Sequence, residues 1–151
     1  MELAMVFFFL AVAARGQNPC TQTNNGLTCT GGYTAVPTEQ EWGVFDVEAI
    51  TGQLSVYNQG ITEIPTGGFN ACPYTNATAL SLGYNAITTV GALAFAQLAA
   101  LEELDLSGNQ ITWMATTSLD GLNRLEGLQL NHNKIGAFDY AALAPMPELR
   151  E

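Results

Sequence analysis

Glu103 and Asp105 are the residues whose type and spacing point most directly to chemistry in this chain. Two positions apart on an extended segment, they project to the same side with about 6 to 7 Å between them. That is close to the lower limit for the carboxyl pair of an inverting glycoside hydrolase. One acid of such a pair must stay protonated near neutral pH, which requires burial or a neighbour that raises its pKa. The alternation of Glu103 and Asp105 with Leu104 and Leu106 instead puts the carboxylates on the solvated side of a strand. Hydrolysis by this pair is therefore the remote alternative. His132 is the only histidine, and no nucleophile accompanies it. A weak cation site built from Glu103, Asp105 and His132 competes with plain solvation of a polar face, which is the commoner state of such groups. Zinc-ligand spacing, a phosphate-cradling glycine motif and a lysine-rich patch are all missing from the sequence. These residues lead us to expect no enzyme, no metal and no cofactor.

Two further sets of residues carry possible covalent chemistry. Cys20 and Cys29 lie nine residues apart in a Thr/Asn/Gly-rich stretch that cannot build a core of its own. With Cys72 they allow three single disulfide pairings, and a small buried thiol is the simpler reading for Cys72. Asn76-Ala77-Thr78 forms an N-glycosylation sequon, and it falls where the chain is two residues longer than in the following repeat. Asn76 is expected on an exposed connection.

The elements that must position these groups show themselves as a repeat. Leu101, Leu104, Leu106, Asn109 and Ile111 recur 24 residues later as Leu125, Leu128, Leu130, Asn133 and Ile135, and Leu80, Leu82, Asn85 and Ile87 precede them by the same step. Downstream columns keep the period as well, with Phe95, Leu119 and Leu143 in one and Leu98, Leu122 and Met146 in the next. A fainter copy holds Leu54, Val56, Gln59, Ile61, Ile64 and Phe69. A fixed period of this length predicts a stacked array in which each short strand buries its leucines only against its neighbours. Asn85, Asn109 and Asn133 fall where each strand ends. Their side-chain amides offer both donors and an acceptor, so a column of them can tie one turn to the next.

The pattern LxxLxLxxNxI, carried here by "LEELDLSGNQI" and "LEGLQLNHNKI", resembles the leucine-rich repeat, and "ITEIPTGGF" is similar to the repeat opening of animal extracellular members of that family. The resemblance covers about residues 50 to 151. It implies an α/β solenoid with a short parallel sheet on its concave face, an irregular or short-helical convex side, and a small amino-terminal cap. It also implies that Cys20 and Cys29 close that cap as a reduced form of the family's cysteine-containing one, while a bridge from Cys72 into the cap stays open as an alternative.

Organisation follows from these readings. Residues 1–16 have the form of a secretory signal peptide, with an apolar run from Leu3 to Val12 and small residues after it, cleavable after Ala14 or Gly16. The run is too short to span a membrane. Residues 17–50 form the cap, where a capping-box spacing at Thr38 and Glu41 competes with the β-favouring Trp42, Val44, Phe45 and Val47. Residues 51–151 hold about four repeats. Pro145, Met146 and Leu149 begin a further turn, so the chain is expected to be part of a longer protein.

Charged residues make up 12% of the chain, about half the usual share, and 14 acidic against 4 basic residues give a formal charge of −10. Nucleic acid and anionic membrane surfaces are disfavoured as partners by that charge, and a neutral or basic one is favoured. Solubility alone also accounts for it. The outward strand positions collect Tyr57, Ser81, Tyr84, Glu103, Asp105, Ser107, Gln129, Asn131 and His132, a mixture of hydrogen-bonding groups and amphipathic rings suited to binding. Family resemblance implies recognition of a protein, peptide or glycan there, in a secreted or cell-surface receptor or adhesion protein. The alternative is a structural spacer in the matrix with no specific ligand.

Overall fold

The computed structural model describes residues 21–23, 26–28, 52–69 and 75–150. The signal-like residues 1–16, Cys20, Cys72 and the whole stretch from 29 to 51, with Cys29, Trp42 and Phe45, lie outside the described residues.

Strands β1 (Thr21–Thr23), β2 (Gly26–Thr28), β3 (Gln53–Ser55), β5 (Ala79–Ser81), β7 (Glu103–Asp105) and β9 (Gly127–Gln129) form one six-stranded sheet in that order. β1 and β2 pair antiparallel; from β2 onward every pairing is parallel. The register is what the 24-residue period dictates, with Leu54, Leu80, Leu104 and Leu128 in one row and Ser55, Ser81, Asp105 and Gln129 in the next. The parallel-sheet solenoid read from the repeat is the fold observed. Each three-residue strand is too short to be stable alone, so its stability comes from the stack.

The core runs along the solenoid axis. Leu54, Val56, Leu80, Leu82, Leu104 and Leu106 are at most 1% exposed, and the second column contributes Phe69, Phe95, Leu98, Leu119 and Leu122, all fully buried. Phe69 and Phe95 stack with ring centres 5.4 Å apart. Leu128, Leu130, Ile135, Leu143 and Leu149 of the last described coil are only partly buried against this core.

Opposite the larger sheet, the convex side of these coils is made of turns, one short 3-10 helix at Tyr140–Leu143 and, beyond the irregular or short-helical side expected from the repeat, a second sheet. β4 (Glu63–Ile64), β6 (Thr89–Val90) and β8 (Trp113–Met114) pair in parallel there. No α-helix occurs among the described residues. Equal coil length brings these dipeptides side by side, and their branched residues Ile64, Thr89 and Val90 favour extended backbone. A threonine column supports them: the Thr88 hydroxyl donates to the Thr62 carbonyl at 3.2 Å, and Thr112 donates to that of Thr88 at 3.4 Å.

Candidate ligand-binding face

The outward face of the larger sheet is built from the residues that alternate with the buried leucines. Gln53, Ala79, Glu103 and Gly127 form one row across β3, β5, β7 and β9, and Ser55, Ser81, Asp105 and Gln129 form the row beside it. All of these but Ser55 and Gly127 line, with Thr78 and Leu80, a shallow depression of about 410 Å³. Glu103 and Gln129 are exposed and Asp105 is half-buried. Ser81 and Ser107 occupy the same face but are only 9% and 6% exposed, because neighbouring coils cover them. Outward direction did not guarantee access, since a short side chain on a packed sheet is shadowed by longer ones.

Glu103 and Asp105 lean toward opposite neighbours. The Glu103 carboxylate lies directly over Gly127 on β9, in space a Cβ there would occupy. Asp105 leans back over β5, where a Cβ on Gly83 would stand 2.7 Å from its Oδ2 and where the Ser81 hydroxyl donates to that oxygen at 3.3 Å. Its other oxygen accepts from the Ser107 backbone N–H at 2.9 Å, capping its own turn. The two carboxylates are thus directed away from each other, held by the absence of side chains at Gly83 and Gly127. A glycosidase pair needs both acids converging on one bond, so this geometry speaks against the hydrolytic alternative.

At the trailing lip of the strands the chain turns through a column of left-handed residues: Asn58, Tyr84, Gly108 and His132, with φ between 53° and 64°. The backbone N–H groups of Asn58, Tyr84 and Gly108 donate to the carbonyls of Gly83, Ser107 and Asn131 in the next coil, continuing the strand ladder into the turn. Asparagine and histidine are common in this conformation and glycine is free of strain there; tyrosine is the uncommon occupant. Tyr57 and Tyr84 stand 45% and 55% exposed with ring centres 5.4 Å apart, forming an aromatic ledge on this lip. Asn131 and His132 are exposed in the last turn of the same lip.

Below the ledge the asparagine column is internal. The Asn85 side chain accepts from the backbone N–H groups of Gln59 and Ile61 at 2.8 and 3.2 Å and donates to the carbonyls of Val56 and Leu82. Asn109 accepts from Ile87 and donates to Leu82 and Leu106; Asn133 accepts from Ile111 and donates to Leu106 and Leu130. Every one of them joins its own turn to the coil before it. In the first coil Gln59 takes the place and turns its longer amide to the carbonyls of Tyr57 and Asn58 instead.

Sequence reasoning missed the left-handed column and the glycine notches that seat Glu103, Asp105 and Tyr84. The notches had a weak signal, since Gly83, Gly108 and Gly127 each occupy a repeat position where other coils carry a side chain. Among the described residues there is no cluster of three or more potential metal ligands, and no helix is long and apolar enough to cross a membrane.

A leucine-rich-repeat family model matches residues 53–111. "Leucine-rich repeats and immunoglobulin-like domains protein 2" from Mus musculus is 41% identical over 83 residues, which is 55% of this chain and only 7% of that protein's length. The crystal structure of human 5T4 (Wnt-activated inhibitory factor 1, trophoblast glycoprotein) is similar with a TM-score of 0.70 and 25% identity, over 89% of this chain and 52% of that one. TLR13 in the TLR13–ssRNA13 complex gives a TM-score of 0.62 and 28% identity over 67% of this chain and 14% of that one. Residues 53–111 thus carry leucine-rich repeats, and the described coils have the leucine-rich-repeat solenoid fold.

Proposed function

We propose that the chain acts outside the cell and recognises a protein, peptide or glycan ligand of neutral or basic character on the concave, outward face of its larger sheet. One observation carries this reading: the exposed strip combines the Glu103 and Asp105 carboxylates with the Tyr57–Tyr84 ledge, while Arg124 and Lys134 are placed off it. Arg124 pairs with Glu102 at 2.9 Å ahead of the strands, and Lys134 reaches Gln110 beyond the turn. A cationic side chain is drawn both to the carboxylates and to the tyrosine faces. Tyr57, Tyr84, Glu103, Asp105, Gln129, Asn131 and His132 are the contact residues of this reading, with Ser81 and Ser107 lending support beneath. The TLR13–ssRNA13 complex holds RNA, but a formal charge of −10 and a strip with acidic groups oppose a phosphate backbone here.

Location outside the cell is supported by the signal-like residues 1–16 and by the similarity to a trophoblast glycoprotein. The spacer reading is favoured by one feature, the engagement of both Asp105 oxygens in internal hydrogen bonds.

Replacing Glu103 and Gln129 by Lys tests the choice, since both are exposed and neither side chain carries an internal hydrogen bond. Binding to cells or matrix should fall at least tenfold with an unchanged melting temperature. Equal binding by a folded double variant would leave the strip idle and the spacer reading standing.

A further inference from the structure

We propose that Asn76 carries an N-linked glycan and that this glycan walls the leading lip of the strand face, opposite the tyrosine ledge. The inference rests on the extracellular part of the reading above and not on the choice of ligand. Asn76-Ala77-Thr78 is the only N-x-S/T sequence in the chain. Asn76 sits exposed in a turn three residues before Ala79 opens β5, and no described residue bonds its side-chain amide.

The repeat places it independently of the motif. Ala79, Glu103 and Gly127 are in register, so the positions three residues before them, Asn76, Ala100 and Arg124, share one column on the leading lip. Arg124 in that column is 65% exposed at its side chain, and Ala100 is half-exposed. The column faces solvent in each coil. The residues that follow fix the turn in place: Ala77 is fully buried, the Thr78 N–H donates to the Gly52 carbonyl at 3.1 Å, and the Thr78 carbonyl accepts from Glu102 and Glu103. Asn76 is therefore an exposed amide on an anchored turn, and among the described residues none hydrogen-bonds its side chain.

The modification is a transfer from a lipid diphosphate-linked oligosaccharide. Asn76 Nδ2 attacks C1 of the first sugar, the N–C1 bond forms, and the C1–O bond to the diphosphate breaks. That oxygen departs with the electron pair, and the amide proton passes to a base of the transferase. Thr78, which lines the depression, lies two residues beyond the attachment point. The glycan thus borders the depression on its leading side, and a ligand has open access from the Tyr57–Tyr84 lip.

Expression of the full chain in a eukaryotic secretory host, followed by endoglycosidase treatment and intact mass, tests the proposal. The secreted parent should lose mass on treatment, Asn76→Gln and Thr78→Ala should show no such loss, and Thr78→Ser, which keeps the sequon, should show it again. A secreted parent of unmodified mass overturns the glycan while leaving the extracellular reading intact. A mass loss that persists in Asn76→Gln overturns the assignment to this residue, and an unmodified chain retained in the cytosol overturns both the glycan and the extracellular reading.

Discussion

The ring of Tyr84 lies over Gly108 of the next coil, and a Cβ added at Gly108 would stand 3.1 Å from the ring carbons. Both residues are left-handed, at φ 55° and 64°. A tyrosine in this conformation stores strain of about 1 kcal/mol or more, offset here by packing on Tyr57 and by the hydrogen bond to Ser107.

Gly108→Ala should destabilise the protein by about 1 to 3 kcal/mol, combining left-handed strain with displacement of the ring. In a Tyr84→Ala background the same change should cost less by about 0.5 kcal/mol or more, because only the strain remains. A double-mutant cycle in urea measures the coupling, and additive costs would show that ring and glycine do not interact.

Asn109→Ala should cost about 1 to 3 kcal/mol. It leaves the Ile87 N–H without its partner and takes one of two amide donors from each of the Leu82 and Leu106 carbonyls, which keep those of Asn85 and Asn133, in a site that is 5% exposed. Gln59→Ala, at the half-buried first-coil counterpart whose side-chain amide donates to the Tyr57 and Asn58 carbonyls of its own turn, should cost clearly less. Thermal midpoints of the two variants compared with the parent decide it.

Ser118→Ala should stabilise the protein by about 1 kcal/mol. The Ser118 hydroxyl is fully buried without a hydrogen-bond partner, and such a group carries a desolvation penalty of about 1 to 3 kcal/mol. The position 24 residues earlier is Ala94, equally buried, so the smaller side chain already fits this column. A lowered urea midpoint would show that the hydroxyl is satisfied in solution.

Leu104→Ala should cost about 2 to 5 kcal/mol, since Leu104 is 1% exposed between two covered coils. Leu128→Ala, one coil further on and only partly buried, should cost markedly less. Equal losses would mean that the last described coil is sheltered as fully as the middle of the stack.

Much of this molecule was legible because its core obeys a period. Leu104 and Leu106 alternate with charged residues, which fixes a strand and its buried face, and the 24-residue step fixes which leucine meets which. The parallel register of Leu54, Leu80, Leu104 and Leu128 follows from those two facts. The second sheet was not legible, since pairs such as Glu63-Ile64 and Trp113-Met114 are too short for alternation to register, although the spacing of Thr88 and Thr112 was there to be seen.

Which side chains share the strand face is readable from the residues alone, because alternation assigns direction and the repeat assigns the row. What each of them can reach depends on the folded stack. Ser81 and Ser107 are covered, Glu103 and Asp105 diverge into the notches at Gly127 and Gly83, and Tyr84 leans over Gly108 beside Tyr57. Direction is a property of a residue's own backbone, whereas access and orientation depend on the side chains of adjacent coils about 24 residues away, and those meet only when the stack closes.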